Sequence, residues 1–245
     1  MLKEVDPGLG GTPSTFLGVA AAQLFAGTDA RWIEFPSGGV IFSEGDVDTR
    51  LYIVETGKVK IGRHNTCGRE YLFTVAGPGE MFGEESALDG GPRNSCATAM
   101  TDVRALAVTG QSVLSLAVTD TEVAQRLMRV LARRIRWTSD NITDAVYADV
   151  TARVAKQLLG LAQRFGVAQD GALRVPMELT QEQFAHLVGT SRESVNKALC
   201  EFADRGWIVI GKDAVLIRDS EPLAARMRGA RCPGRPRRKA GGDAH

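Results

Sequence analysis

The stretch LTQEQFAHLVGTSRESVNKALCEFADRGWI, Leu179–Ile208, is punctuated for two short helices. Thr180, followed three residues later by Gln183, is a capping-box signature that starts a helix. Phe184, Leu187 and Val188 give that helix one apolar face. Gly189 supplies the left-handed backbone that ends it, and Thr190 or Ser191 caps the next. On this second helix Val195, Leu199 and Phe202 share one face, and Arg192, Glu193, Asn196 and Lys197 share the opposite one. Two helices joined by so tight a turn predict a helix-turn-helix.

A helix that only packs has no need of four large polar groups at its exposed N-terminal end, whereas a groove-reading helix does. Arginine pairs bidentately with guanine O6/N7, and glutamate accepts from cytosine N4. Ser191 and Ser194 are placed to touch phosphates near the start of the helix. Together with Thr180 and Gln181 these residues form the expected DNA-facing set. Trp207–Ile210 and Ala214–Ile217, separated by Gly211-Lys212-Asp213, read as a two-stranded wing. After Ser220 the chain becomes arginine-rich with Gly and Pro, from Arg226 to Lys239. It is read as a basic disordered tail that adds nonspecific phosphate contacts or solubility.

Upstream, Asp120–Ala148 contains no Gly or Pro. Ala124, Met128, Leu131, Ile135, Thr138, Ile142 and Ala145 recur at alternating spacings of four and three. That is the seam of two helices packed along each other, and over roughly 40 Å it predicts a homodimer. Asp149-Val150-Thr151 reads as a hinge, followed by a helix from Ala152 to Phe165, a turn and a short strand. Trp32–Val108 has a different texture. Short alternating runs such as LYIVETGKVKIGR are broken by Gly45, Gly57, Gly68 and Gly79, which predicts an antiparallel sandwich or jelly roll. Residues 1–15 look disordered, and residues 16–27 form a short helix in this reading.

The composition sets few limits. A chain of 245 residues holds one large domain or two modest ones. The net charge of +1 makes no global case for nucleic acid, so that case rests on the local patch. The apolar stretch Phe16–Ala26 is too short to span a bilayer and lacks a basic leader, so a cytoplasmic protein without membrane contact is expected. Cys67, Cys96, Cys200 and Cys232 are scattered with no CxxC pair, and no metal site is expected.

A second motif lies in the β-rich half. MFGEESALDGGPRNSCATA, Met81–Ala99, places Gly83-Glu84 nine residues before Arg93 on a glycine-rich turn. With GKVKIG, the long helix and TSRESVNKAL, it resembles the CRP/FNR family of bacterial transcription regulators, within it the cyclic AMP receptor branch. The resemblance spans roughly residues 29–220. It implies an α+β fold: an N-terminal cyclic-nucleotide-binding β-roll, a long dimerisation helix and a C-terminal winged helix-turn-helix. The division expected is an extension over 1–28, the β-roll over 29–119, the dimer helix over 120–148, the DNA-binding unit over 149–220 and the tail over 221–245.

By the same resemblance cyclic AMP is the allosteric ligand. Glu84 would accept from its ribose 2′-hydroxyl. Arg93 would pair with the cyclic phosphate, helped by Asn94 and by backbone N–H groups near Gly83 and Ser86. Thr138 and Ser139 would meet the adenine, one from each subunit. Arg192, Glu193 and Lys197 would read a TGTGA-like inverted repeat, with RNA polymerase as a further partner. Three positions depart from the family pattern. Glu85 stands where an apolar residue is usual, and facing the phosphate at about 6 Å it would repel by roughly 3 kcal/mol. Asn94 replaces a hydroxyl residue, and Lys197 an arginine.

An alternative keeps the DNA binding and changes the signal. Cys96 lies three residues after Arg93, where nitrosylation or oxidation would perturb the loop. An enzyme is not supported, because His64, His186 and His245 are isolated and no carboxylates have metal-ligand spacing. A nucleotide-gated kinase or channel module fits poorly with a helix-turn-helix and no membrane span.

Overall fold

The computed structural model describes residues 24–64 and 70–229. Most of the helix expected over 16–27, Cys67, Cys232 and the tail beyond residue 229 lie outside the described residues. The first half is a roll of eight strands: β1 (Arg31–Phe35), β2 (Val40–Phe42), β3 (Arg50–Thr56), β4 (Val59–His64), β5 (Glu70–Ala76), β6 (Met81–Phe82), β7 (Cys96–Ala99) and β8 (Val103–Thr109). They form two antiparallel sheets, ordered β1-β8-β3-β6 and β2-β7-β4-β5.

Strand β3 shows why the roll needs helices on its flank. Leu51 to Val54 are all buried, but their alternation sends them to different cores. Tyr52 and Val54 join Phe42, Val59, Ile61 and Phe82 between the sheets. Leu51 and Ile53 face outward and join Phe25, Val113, Leu127 and Val130. Phe25 comes from the segment before β1, Val113 from helix α2 (Gly110–Thr119), and Leu127 and Val130 from helix α3 (Thr121–Tyr147). A short helix α1 (Glu84–Asp89) lies between β6 and β7. The inward face of α3 is spent on the roll, while Met128, Ile135 and Ile142 of its seam are 60%, 69% and 62% exposed.

Helix α4 (Val150–Phe165) begins at the expected hinge, where the Asp149 side chain accepts from Ala152 N at 2.8 Å. It is buried on nearly every side because Leu72 and Val75 of the roll flank it as well as the second half of the chain. That half contains β9 (Val167–Gln169), β10 (Ala172–Pro176), α5 (Gln181–Val188), α6 (Arg192–Asp204), β11 (Ile208–Ile210), β12 (Ala214–Ile217) and α7 (Glu221–Gly229). Arg164 fastens α4 to the roll by donating to the Val75 carbonyl and pairing with Glu80.

Two expectations change. The wing is part of a four-stranded sheet, β11-β12-β10-β9, because β12 also pairs with β10 and places Val175 opposite Val215, both in the core. The tail does not begin at residue 221. Asp219 accepts from Glu221 N at 3.0 Å, and α7 buries Leu223, Ala224 and Met227. Leu223 and Ala224 join the same core as α4. A reading by arginine content overlooked these three apolar residues, whose spacing places them on one helical face.

Candidate ligand cavity and nucleic-acid interface

A cavity of about 620 Å³ opens between the roll, α3 and the second half of the chain. Gly83, Glu84, Ser86, Arg93 and Asn94 line it from the roll, and Trp137, Thr138 and Asn141 from α3. Five of the residues expected to hold a nucleotide's ribose and phosphate therefore meet in one place.

Arg93 is 2% exposed. Its guanidinium lies 4.1 Å from the centre of the Phe42 ring and donates from Nη1 to the Gly83 carbonyl at 2.6 Å and to Ser86 Oγ at 2.8 Å. Gly83 takes φ 74°, and a Cβ there would stand 2.7 Å from Arg93 Nη1. Only glycine satisfies both the backbone and the close approach. Glu84 is 1% exposed, and burial pushes its pKa up although Arg134 of α3 pairs with it. Glu84 Oε1 has the Arg134 guanidinium beside it, while Glu84 Oε2 and Arg93 Nε are buried without a partner. Such atoms are costly to leave unmade, and a ligand offering a hydroxyl and an anion would satisfy them.

Glu85 answers its own question. It is exposed at the cavity edge, and its carboxylate accepts from the Asn94 amide. One N–H of the Asn94 amide is thereby committed to Glu85, although both side chains line the cavity. Thr138 lines the cavity, whereas Ser139 does not. The Ser139 hydroxyl donates to the Ile135 carbonyl at 3.0 Å, on the solvent side of α3. Cys96 is half-buried and outside the lining, with Sγ 3.7 Å from His64 Nδ1 and accepting from Glu44 N at 3.3 Å.

The sequence reading missed Asp48 and Arg134. Asp48 Oδ2 accepts from Arg93 Nη2 at 3.1 Å, and Asp48 also accepts from Arg50 Nε at 2.9 Å. Partial burial opposes its charge, but the hydrogen bonds from Arg50 and Arg93 outweigh it and hold the pKa down to about 2. The lowered value means that the unfolded chain binds more protons over this range. Asp48 thus contributes stability above pH about 4 that is lost as pH falls towards 2. In denaturant unfolding, wild type is expected to exceed Asp48→Asn most at neutral pH, with the gap closing below pH about 4. A gap independent of pH would contradict this.

The helix-turn-helix is assembled as its punctuation requires. Thr180 Oγ1 accepts from Gln183 N at 3.1 Å, and Gln183 Oε1 accepts from Thr180 N at 3.0 Å. Gly189 takes φ 74°, and Ser191 caps α6 by accepting from Ser194 N at 3.3 Å. Val195, Leu199 and Phe202 are buried, while Arg192, Glu193, Asn196 and Lys197 are exposed. Arg192 Nε donates to Gln181 Oε1 at 3.0 Å, which brings two of the expected DNA-facing residues together. Glu193 has its pKa lowered by its own backbone N–H and by Ser191. Among the described residues no His, Cys, Asp or Glu cluster is placed to hold a metal ion, and no helix is long and apolar enough to cross a membrane.

Comparison with known proteins falls on the same two regions. Residues 32–120 match the cyclic nucleotide-binding domain, and residues 152–226 the Crp-like helix-turn-helix domain. The chain is 51% identical to the CRP-like cAMP-activated global transcriptional regulator of Mycobacterium tuberculosis, over 87% of its own length and 96% of the relative's. The chain belongs to the CRP/FNR family of transcription regulators.

It is also 34% identical to the cyclic AMP receptor protein of Thermus thermophilus, over 77% of this chain and 84% of that protein. A solved CRP/FNR-family transcriptional regulator from Thermus thermophilus superposes with a TM-score of 0.69 at 26% identity, covering 82% of this chain and all of that one. FixK2 from Bradyrhizobium japonicum shares the fold, with a TM-score of 0.70 at 22% identity over 84% of this chain and 99% of that one. As a CRP/FNR member the chain is a DNA-binding transcription regulator and not an enzyme.

Proposed function

We propose that this protein is a homodimeric regulator that binds a TGTGA-like palindrome and tightens on it when cyclic AMP fills the cavity. The observation that carries the ligand is the pair of unmet needs in one cavity. Glu84 offers the buried acceptor Oε2 to a ribose hydroxyl, and Arg93 offers an unpaired Nε–H to a phosphate. Relatives named for cyclic AMP support the choice of nucleotide. The exposed seam on α3 supports the dimer, and it gives Ser139 a role on the partner's ligand. On this reading the roll and α3 form the sensing unit, and residues from Asp149 through α7 the DNA-binding unit. RNA polymerase as a partner and a cytoplasmic location are part of the proposal, and family membership is their sole support.

Cyclic AMP acts by binding the DNA-competent arrangement more tightly than the other. The contacts available for rearrangement are Arg164 with Glu80, Lys58 with Glu178 at 2.8 Å, and the Tyr71 ring 5.9 Å from that of His186. All three join the roll to the DNA-binding unit. Cys96 stands outside the cavity lining, so the nucleotide reading is favoured over a thiol signal.

The test is fluorescence anisotropy on a palindromic TGTGA duplex at fixed salt, with and without cyclic AMP. The half-sites are set about one helical turn apart to match a two-fold dimer. About tenfold tighter binding with ligand is expected, and equal binding in both conditions would sink the cyclic AMP reading. Arg192→Ala is expected to cost about 1–3 kcal/mol on the consensus duplex and to relax discrimination at one base pair. A uniform loss on all duplexes would instead make Arg192 a phosphate contact.

A further inference from the structure

The charge that the cavity presents to an anion is set from behind. A guanidinium has five N–H donors. Arg93 commits two to Gly83 and Ser86, which line the cavity, and two to the Asp48 carboxylate and the Arg50 carbonyl, which do not. Asp48 is itself held in place, accepting from Arg50 Nε at 2.9 Å and from the Tyr52 hydroxyl at 3.1 Å. Around the phosphate end, the guanidiniums of Arg50, Arg93 and Arg134 are thus matched by the carboxylates of Asp48, Glu84 and Glu85. An arriving phosphate enters a site that is balanced before it comes.

We propose that Asp48 is a positioning residue and built-in counter-ion for Arg93, which orients the guanidinium and at the same time lowers the cavity's affinity for a phosphate monoanion. The inference rests on the nucleotide reading above. Its physical content is that one side chain exerts two opposed effects. The acceptor oxygen holds Arg93 against Gly83 and the Phe42 ring. The negative charge, close to Arg93 and only partly screened, repels the ligand's phosphate. Asparagine keeps an acceptor and removes the charge, so it separates the two effects.

The experiment is calorimetric titration of wild type, Asp48→Asn, Asp48→Ser and Arg93→Ala with cyclic AMP, and with adenosine, which lacks the phosphate. Asp48→Asn is expected to bind cyclic AMP about tenfold tighter, equivalent to about 1.4 kcal/mol, and adenosine with unchanged affinity. A residue that merely supports the fold would not separate the two ligands. Asp48→Ser removes the same charge and is expected to gain in the same direction, so a folding failure of one variant leaves the other decisive. If wild type binds cyclic AMP, Arg93→Ala does not, and neither Asp48 variant binds more tightly, the Asp48 inference is overturned and the nucleotide reading stands. Equal tightening of both ligands also overturns it. If none of the four proteins binds either ligand, both readings fall together.

Discussion

Arg93→Ala is expected to weaken cyclic AMP binding by at least about a hundredfold and to leave duplex affinity the same with and without ligand. The side chain offers the cavity a buried charge, and charge-assisted hydrogen bonds to phosphate are worth about 1.5–3 kcal/mol each. Losing the bond from the one uncommitted donor, Nε–H, together with the buried charge behind it costs about two powers of ten. The backbone of the loop should survive, because Arg93 N donates to Asp46 O at 2.9 Å and Gly45 N to Arg93 O at 2.8 Å whatever the side chain. Arg93→Lys keeps the charge without the planar fork and is expected to recover part of the affinity. Calorimetry gives the ligand constant and anisotropy the DNA response. A variant that still responded like wild type would show that the phosphate is held elsewhere.

Ile135→Glu combined with Met128→Glu is expected to convert a dimer into a folded monomer. Both side chains are largely exposed in the single chain, so the protomer's own core loses nothing when they become charged. In a dimer the same positions meet their copies, where like charges in an apolar seam are strongly unfavourable. A dimer grips both half-sites at once, and that advantage is worth about 10²–10⁴ in affinity. Light scattering should report half the mass, thermal unfolding should remain cooperative, and affinity for the palindrome should fall by two or more powers of ten. A variant that stayed dimeric would move the interface off α3 and remove Ser139 from the partner's cavity.

Most of the helix-turn-helix was legible because its signals are local. Thr180 and Gln183 are three residues apart, Gly189 ends α5 through its own backbone, and Ser191 caps α6 three residues from Ser194. Each device acts within one turn of helix, so proximity in the chain guarantees proximity in space. Helix α3 and its exposed apolar row of Met128, Ile135 and Ile142 were legible for the same reason, since their period is a property of the helix itself. Composition misled where it stood in for pattern: the arginines after Ser220 hid the apolar face of α7.

What the sequence determined by itself was therefore the helix-turn-helix and the long helix before it, the polar face of α6, and the Gly83–Arg93 motif with its glycine turn. What only the tertiary structure decided was the electrostatics around that motif. Asp48 meets Arg93 across 45 residues, and Arg134 reaches the Met81 carbonyl across 53 to stand beside Glu84. No local rule relates residues so far apart. Whether Glu85 repels a ligand or holds Asn94 was likewise settled by the direction of one side chain. Charges act through space, and the fold alone sets the distances between them.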